Sequence, residues 1–320
     1  MIIHLLWFLL WGLALLPRRS YASLSQLVFL VWRLFARKNK QILYGNISYI
    51  WGYLPTTDRA KHFARQVISS QTEVFFDTLR GILRPASLKL QGLEELGKLI
   101  THAETQGRGQ ILISAHVGSW ELVGKCMSMV RTKGFFVLAK PPRHRVFLPL
   151  MHKLRKQMNC DLIWTGDREQ VSQSMATTLQ RGDSLGLVMD QKPRNRQGPE
   201  VQFFDQPTPF VAGPAVLARQ HACPIIGIFC LRIGPGHYRL ESRLLVQGEE
   251  AAGKSVVALT QICAREIERI IRQYPEQWCW NYKRWVLPSS PAETEKKRDP
   301  VADQNTMGMD YDTMSRETQG

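Results

Sequence analysis

The stretch that decides the fold reads Gln110-Ile-Leu-Ile-Ser-Ala115-His116-Val-Gly-Ser-Trp-Glu121. Its first half is an apolar run that predicts a buried strand, and the residues after Glu121 predict a helix. A histidine at a strand end, with a carboxylate five residues later, can donate a hydrogen bond from one imidazole N–H to that carboxylate. The other ring nitrogen can then face a cleft. His116 and Glu121 are therefore the candidate catalytic residues, a general base and the acid that orients it. The alternative is that His116 caps the core and Glu121 is an acid favoured in a first helical turn.

The backbone between these two residues suits a bound substrate. Gly118 lets another molecule approach the chain closely, which makes it a candidate substrate-binding residue. The amide groups at the start of the following helix can hold negative charge that develops on that substrate.

Short β-rich runs alternate with helical stretches from about residue 108 to residue 245. The predicted strands are residues 110–114, 134–138, 161–164, 184–189, 224–230 and 238–245. Such alternation predicts the α/β class, with a mainly parallel or mixed sheet flanked by helices. Ligands bind at the carboxyl ends of strands in such sheets, and His116 and Asp190 follow two of these ends. Asp190 is expected either to line one cleft with His116 or to tie two loops together.

Several blocks, in order over roughly residues 10 to 288, resemble the lipid A late acyltransferases, a branch of the lysophospholipid acyltransferase superfamily. The segment Ala115-His116-Val-Gly-Ser-Trp-Glu121 resembles the family's H-F-G-N-W-E block, and Val188-Met-Asp190-Gln191 resembles its P-D-Q segment. Four later segments resemble P-F-F-G, T-x-x-G-P-A-x-L-A, P-E-Q-W-L-W and R-R-W. They are Val201-Gln-Phe-Phe204, Thr208-Pro-Phe-Val-Ala-Gly213-Pro-Ala-Val-Leu-Ala218, Tyr274-Pro-Glu-Gln277-Trp278-Cys-Trp280 and Lys283-Arg284-Trp285.

The resemblance implies a lysophospholipid acyltransferase-like fold and a membrane-bound O-acyltransferase. The expected reaction moves a fatty acyl chain from acyl carrier protein to a hydroxyl of a lipid A precursor, with His116 and Glu121 as the general-base dyad. Asp190, Gln191 and Arg168 are expected to contact substrate, Arg168 through an approximate match to an arginine of the family. No metal or redox cofactor is implied. No acyl-enzyme is needed, because a thioester is already activated and no serine or cysteine stands in a nucleophile motif.

Three departures from the family pattern bear on the acceptor. Lys192 stands where the family often has a second acid, Asp205 replaces a glycine, and Tyr282 stands where a histidine is common. An acyltransferase of the same superfamily that acts on a lysophospholipid or another glycolipid therefore stays open. A catalytically idle membrane-bound binding protein is a further alternative, although such a protein has no need for both His116 and Glu121 at this spacing.

The chain has a net charge of +15, and the first 288 residues alone carry +18. Residues 289–320 carry seven acids and four bases without aliphatic periodicity, which predicts a disordered polar tail. The remaining excess favours an anionic membrane or acidic partners over nucleic acid, because no zinc-finger or RNA-binding motif is present. The six cysteines never form a C-x-x-C pair, so neither zinc nor a disulfide scaffold is predicted.

A basic cluster without a single acid lies between residues 140 and 156. Its six members are Lys140, Arg143, Arg145, Lys153, Arg155 and Lys156. Because it follows a predicted strand end, Arg143 and Arg145 are candidate contacts to lipid phosphates or to an acidic carrier protein. The alternative is a solvated helix face.

Residues 2–17 are strongly apolar and are followed at once by Arg18 and Arg19. The segment lacks the leading charge and the cleavage site of a signal peptide, so residues 1–22 are interpreted as a retained membrane anchor. Residues 23–288 then form the acyltransferase domain. The positive-inside rule places Arg18, Arg19 and later bases beside anionic headgroups, with the catalytic domain facing the cytoplasm of a bacterial inner membrane. A transmembrane helix is one expectation, and a buried N-terminal helix is the alternative. Residues 24–35 predict a second apolar helix that can lie on the bilayer surface.

Overall fold

The computed structural model describes residues 2–105, 107–193 and 197–285, so the tail expected after residue 288 lies outside the described residues. The helices in these ranges are α1 Ile2–Leu15, α2 Arg19–Phe35, α3 Arg37–Trp51, α4 Asp58–Leu83, α5 Leu93–Thr105, α6 Trp120–Val130, α7 Leu148–Gln157, α8 Arg168–Gln180, α9 Gly213–His221, α10 Gly248–Gly253 and α11 Val256–Gln273. The strands are β1 Lys89–Gln91, β2 Gln110–Ser114, β3 Phe135–Ala139, β4 Asp161–Trp164, β5 Ser184–Val188, β6 Glu200–Phe203, β7 Gln206–Pro209, β8 Ile225–Gly234 and β9 His237–Val246.

Seven of these strands form one mixed sheet in the order β1-β9-β8-β2-β5-β3-β4. Neighbouring strands are parallel except for β8 and β9, which are antiparallel. Hydrophobic cores lie on both faces of the sheet and are covered by helices. The predicted α/β class with a mainly parallel or mixed sheet is therefore confirmed.

Strand β2 is fully buried because it lies between β8 and β5 in the middle of the sheet. Its side chains alternate between the two cores, since successive residues of a strand point to opposite faces. Ile111 and Ile113 pack in one core, while Leu112 packs in the other. This explains why the strand is a continuous apolar run without polar alternation.

A small hairpin of β6 and β7 was not expected from the sequence. Its turn consists of Phe204 and Asp205, which both adopt left-handed backbone with φ of 54° and 57°. Two left-handed residues in a two-residue hairpin loop favour glycine, which accounts for the glycine of the family pattern. Asp205 tolerates the conformation better than most residues, and its carboxylate lies 3.2 Å from Nη2 of Arg272. The Asp205 departure therefore lies in the turn of this hairpin.

The N-terminal helices pack against α4. Ala14 of α1 lies in a cluster with Leu79 and Leu83, while Tyr21 of α2 is buried against Phe76. Helix α1 has 14 residues, whereas a full span needs about 20. Within the described ranges, no helix is long and apolar enough to cross a membrane. The expected transmembrane helix is therefore not found there.

Arg18 joins this N-terminal pair of helices to the rest of the fold. Its Nε donates to Oδ1 of the fully buried Asp77 at 3.0 Å, and its Nη2 donates to the Ser87 carbonyl at 2.6 Å. Oδ2 of Asp77 accepts from Nε of Arg232 at 3.1 Å and from the Gly236 amide at 3.0 Å. The expectation that Arg18 faces lipid headgroups is wrong, because its guanidinium satisfies a buried carboxylate.

We expect Arg18→Met to lower the thermal unfolding midpoint by several degrees. The substitution keeps the length of the side chain but removes one donor from a buried carboxylate, which costs about 1–3 kcal/mol. Arg19→Met is the matched control, because Arg19 is the exposed neighbour. Thermal unfolding of both variants in the same detergent measures the difference. Equal midpoints would contradict a structural role of Arg18.

Candidate active site

The parallel register of β2 and β5 brings His116 and Asp190 together. Ser114 pairs with Val188 at the carboxyl ends of the two strands. His116 and Asp190 each lie two residues beyond this last pair, so they leave neighbouring strands at the same height. The predicted shared cleft at the strand ends thus has a geometric basis, although 74 residues separate the two side chains.

Asp190 is the hydrogen-bond partner of the imidazole. Nδ1 of His116 lies 2.7 Å from Oδ1 of Asp190, and the His116 amide donates to Oδ2 at 3.1 Å. Because a carboxylate can only accept a hydrogen bond, Nδ1 carries the proton in the neutral imidazole. Nε2 then holds the lone pair that can take up a proton. The expected bond from His116 to Glu121 is not formed. The strand register supplies a closer carboxylate, and the helix start turns Glu121 toward α7.

Trp278 completes the surroundings of Asp190. Its indole Nε1 donates to Oδ2 of Asp190 at 2.8 Å, and its ring is almost fully buried. The chain around it is fixed to the catalytic loop, because Val117 and Trp278 form a bridge and the Cys279 amide donates to the His116 carbonyl at 3.0 Å. The sequence alone did not place Trp278 in the site. The signal that could have revealed its role is its place in the P-E-Q-W-L-W block.

The electrostatics of the pair favour an anionic Asp190 and a strongly basic His116. Burial lowers the pKa of His116. The hydrogen bond and charge of Asp190, together with the charge of Glu121, raise it by a larger amount, so the net pKa lies above 6.5. Burial raises the pKa of Asp190, but the hydrogen bond and charge of His116 and the bond from Trp278 hold it below its ordinary value. Such a pair has the geometry and charge that an oriented general base needs.

Glu121 forms an ion pair with Arg155 of α7. Nη1 of Arg155 lies 2.6 Å from Oε2 of Glu121, and Nη2 donates to Oε1 at 3.0 Å. Two parallel bonds of this kind fix both side chains. Glu121 therefore acts on His116 through its charge, without contact, and it ties the first turn of α6 to α7.

Gly118 has a structural reason to be glycine. Its φ is +56°, and a Cβ atom there would lie 2.3 Å from the Cys230 carbonyl oxygen. The amides of Gly118 and Ser119 donate to the carbonyls of Gln277 and Cys230 at 3.1 and 2.8 Å. The close approach expected at Gly118 is therefore made by β8, and these two amides are already bonded.

A cavity of about 260 Å³ lies beside the exposed side of His116. Its wall is mostly apolar and is formed by α4, the start of α6 and the loop after Gln277; the residues are Gln71, Val74, Phe75, Thr78, His116, Gly118, Ser119, Trp120, Glu121, Gln277 and Cys279. A larger groove of about 760 Å³ lies at β4 and α8, but neither His116 nor Asp190 lines it. The smaller cavity is the one in reach of the base.

Of the other predicted substrate contacts, Gln191 lies beside His116 and three arginines lie elsewhere. Nε2 of Gln191 lies 3.3 Å from Nε2 of His116, so Gln191 is part of the site. Arg143 and Arg145 are exposed in the loop before α7, and Arg168 is exposed at the start of α8, where it does not line either cavity. None of these three arginines has an ion-pair partner among the described residues.

Two members of the basic cluster have structural partners. Arg155 is paired with Glu121, and Nζ of Lys153 lies 3.9 Å from the ring centroid of Trp7. Arg155 and Lys153 are therefore held by contacts within the protein. Within the described ranges, no group of three His, Cys, Asp or Glu side chains could hold a metal ion.

The sequence model of a family described as bacterial lipid A biosynthesis acyltransferase matches residues 1–286. The chain belongs to this family. The predicted family is thus confirmed, and the expectation of an acyltransferase is confirmed at the level of the family.

Two relatives are similar over part of the chain. A phosphatidylinositol mannoside acyltransferase of Mycobacterium tuberculosis is 22% identical over 221 residues, which are 68% of this chain and 66% of that protein. A phosphatidylinositol mannoside acyltransferase of Mycolicibacterium smegmatis is 25% identical over 186 residues, which are 58% of this chain and 59% of that protein. The matches thus span slightly less than two thirds of these relatives.

We expect kcat/KM of acyl transfer to rise with pH, with the midpoint of the rise above 6.5. Only neutral His116 accepts a proton, and its pKa is raised. Asp190→Asn should move this rise to lower pH and lower the plateau about 100-fold or more, since it removes the charge and replaces one of the two acceptor oxygens with an NH2 donor. Glu121→Gln should move the rise less, because Glu121 does not touch the imidazole. A pH profile of each variant measures the shifts.

An equal shift in Asp190→Asn and Glu121→Gln would contradict this assignment of roles. Circular dichroism of both variants controls for folding, because Asp190 is buried and Glu121 is partly exposed.

Proposed function

We propose that this protein is a membrane-bound O-acyltransferase that moves a fatty acyl chain from a thioester to a hydroxyl of a lipid. The observation that carries the proposal is that Nε2 of His116 lies beside an apolar cavity, in contact with the exposed Gln191, while Nδ1 is held by the buried Asp190. Family membership supports the reaction class, because the family is named for lipid A biosynthesis acyltransferases.

In the proposed reaction, the acceptor hydroxyl replaces Gln191 beside Nε2 of His116. The imidazole takes the hydroxyl proton as the oxygen forms a bond to the thioester carbonyl carbon. Asp190 stabilises the imidazolium that results. When the carbon–sulfur bond breaks, the imidazolium returns the proton to the leaving thiolate. The positive end of α6 supplies a field for the oxyanion, since the amides of Gly118 and Ser119 are already bonded.

We propose a lipid A precursor as the acceptor. Support comes from the family description, whose model extends over residues 1–286. The second candidate is another glycolipid, because the two relatives above are named for phosphatidylinositol mannoside, although they match a smaller part of the chain. Both acceptors combine sugar hydroxyls with an apolar part that suits the cavity beside His116.

We propose acyl carrier protein as the donor, docked on the unpaired part of the basic cluster. Arg143 and Arg145 support this docking, because they are exposed and precede the helix whose Arg155 pairs with Glu121 of the cavity wall. A carrier that is acidic would be attracted there over a screening length of about 8 Å at physiological ionic strength.

The enzyme should acylate a purified lipid A precursor when acyl carrier protein supplies the chain. His116→Ala is the matched control and should lower the rate about 100-fold to 10,000-fold. Mass spectrometry of the product measures the added chain. Transfer to phosphatidylinositol mannoside alone would favour the second acceptor, whereas no transfer to either lipid by wild-type enzyme would contradict the proposal.

The same assay separates donor from acceptor recognition. Reversing Arg143 and Arg145 to Glu should raise KM for the carrier-linked donor with little change in kcat, since the lost attraction acts equally on ground and transition states. The difference from wild type should shrink as salt rises. A change confined to KM of the acceptor would assign both arginines to lipid phosphates.

We propose that α1 and α2 attach the protein to the cytoplasmic face of a bacterial inner membrane. Both helices would lie in the plane of the membrane surface, between lipid headgroups and acyl chains. Large apolar side chains of both helices are exposed: Leu5, Phe8, Leu9, Leu15, Leu27, Val28, Leu30, Val31, Leu34 and Phe35. Exposed bases accompany them at Arg19, Arg33, Arg37 and Lys38. An apolar face next to bases is typical of helices that lie on anionic membranes.

Replacing Phe8 and Leu34 together by Glu should release most of the protein from anionic vesicles at high salt. Full burial of such side chains contributes about 1.5–3 kcal/mol each, so the partition should fall at least tenfold. Val257→Glu is the control, because Val257 is an exposed apolar residue of α11. Vesicle flotation measures binding. Retention equal to that of Val257→Glu would contradict attachment through α1 and α2.

A further inference from the structure

Trp120 makes a direct ring contact with the proposed base. The centroids of the Trp120 and His116 rings are 4.9 Å apart, and the ring planes meet at 64°. Trp120 is the first residue of α6, is half-buried and lines the cavity beside His116. The indole therefore lies beside the imidazole at the cavity, and Asp190 holds Nδ1.

Protonation changes the strength of this contact. A cation over the face of an aromatic ring, within about 6 Å of its centroid, is attracted to the ring, and tryptophan is the strongest aromatic partner. A neutral imidazole carries no net charge and gains much less. The contact is therefore stronger after His116 has taken the proton than before, which is the condition for an interaction that accelerates a reaction.

The charged groups around His116 leave this role open. Asp190 contacts the imidazole from the end of β5, while Glu121 acts from α6 and is paired with Arg155 of α7. The α4 residues of the cavity wall are Gln71, Val74, Phe75 and Thr78, none of which titrates. The thiol of Cys279 also lines the cavity, and burial raises its pKa to about 12, so it stays neutral.

We propose that Trp120 is a positioning residue that stabilises the imidazolium of His116 through its aromatic ring and keeps water from that side of the base. The inference rests on the proposed function, in which His116 takes the proton of the acceptor hydroxyl. Trp120 acts through His116 and needs no contact with the reacting atoms. An aliphatic side chain of similar bulk would exclude water but would not attract the cation.

The test compares Trp120→Phe with Trp120→Leu in the full-length protein. Nuclear magnetic resonance of labelled histidine follows the titration of His116, whose signal is identified by its loss in His116→Ala. Trp120→Leu should lower the pKa of His116 by about half a unit or more, and Trp120→Phe should lower it less. Phe75→Leu is the control, because it removes a cavity aromatic while the Trp120–His116 ring pair stays in place.

Kinetics give the second measurement. Trp120→Leu should lower kcat about threefold to thirtyfold, with both KM values within about twofold and partial rescue in Trp120→Phe. An unchanged His116 titration in Trp120→Leu, or equal loss of kcat in Phe and Leu variants, would overturn the proposal. If Trp120→Leu fails to fold, the titration in Trp120→Phe decides, and an unchanged value there overturns it.

The two proposals fail separately. Full activity in His116→Ala would contradict the assignment of His116 as the general base. The titration of His116 in the Trp120 variants would still report whether the indole stabilises the imidazolium.

Discussion

The hydrogen bond between His116 and the buried carboxylate of Asp190 is the interaction on which the site depends. It exists because β2 and β5 are parallel neighbours whose last pair, Ser114 and Val188, holds both following loops at the same height. Trp278 and the His116 amide occupy Oδ2 of Asp190, so Oδ1 is left for the imidazole. The carboxylate stays ionised despite burial, and its charge makes Nε2 of His116 a stronger base.

The cavity beside this pair is built by elements from both ends of the chain. Helix α4 forms one wall and also carries Asp77, whose bonds to Arg18 and Arg232 join the N-terminal helices to the sheet. Helix α7 is linked to α6 by the pair of Arg155 and Glu121, and to α1 by Lys153 over Trp7. The proposed membrane surface and the proposed base are thus connected through packed helices, which is consistent with a lipid acceptor.

Sequence periodicity predicted the central strands well, because a buried parallel strand needs a continuous apolar run. Strands β2 and β4 have the predicted bounds. The sequence could not tell which of Glu121 and Asp190 bonds to the imidazole of His116. Both carboxylates were expected near His116, and the register of β2 and β5 decides for Asp190. The link of Trp278 to Asp190 crosses 88 residues, and helix or strand periodicity does not report such a contact. Arg18 was similarly misassigned, because its partner Asp77 lies 59 residues away.

A double-mutant cycle on His116 and Asp190 tests the central claim most directly. The kcat/KM of acyl transfer is compared for wild type, His116→Ala, Asp190→Asn and the double variant. If Asp190 acts by orienting and charging the base, the double variant should be no slower than His116→Ala within about twofold, because the carboxylate has nothing left to orient. Additive losses from the two substitutions would contradict the account, since they would mean that His116 and Asp190 act independently.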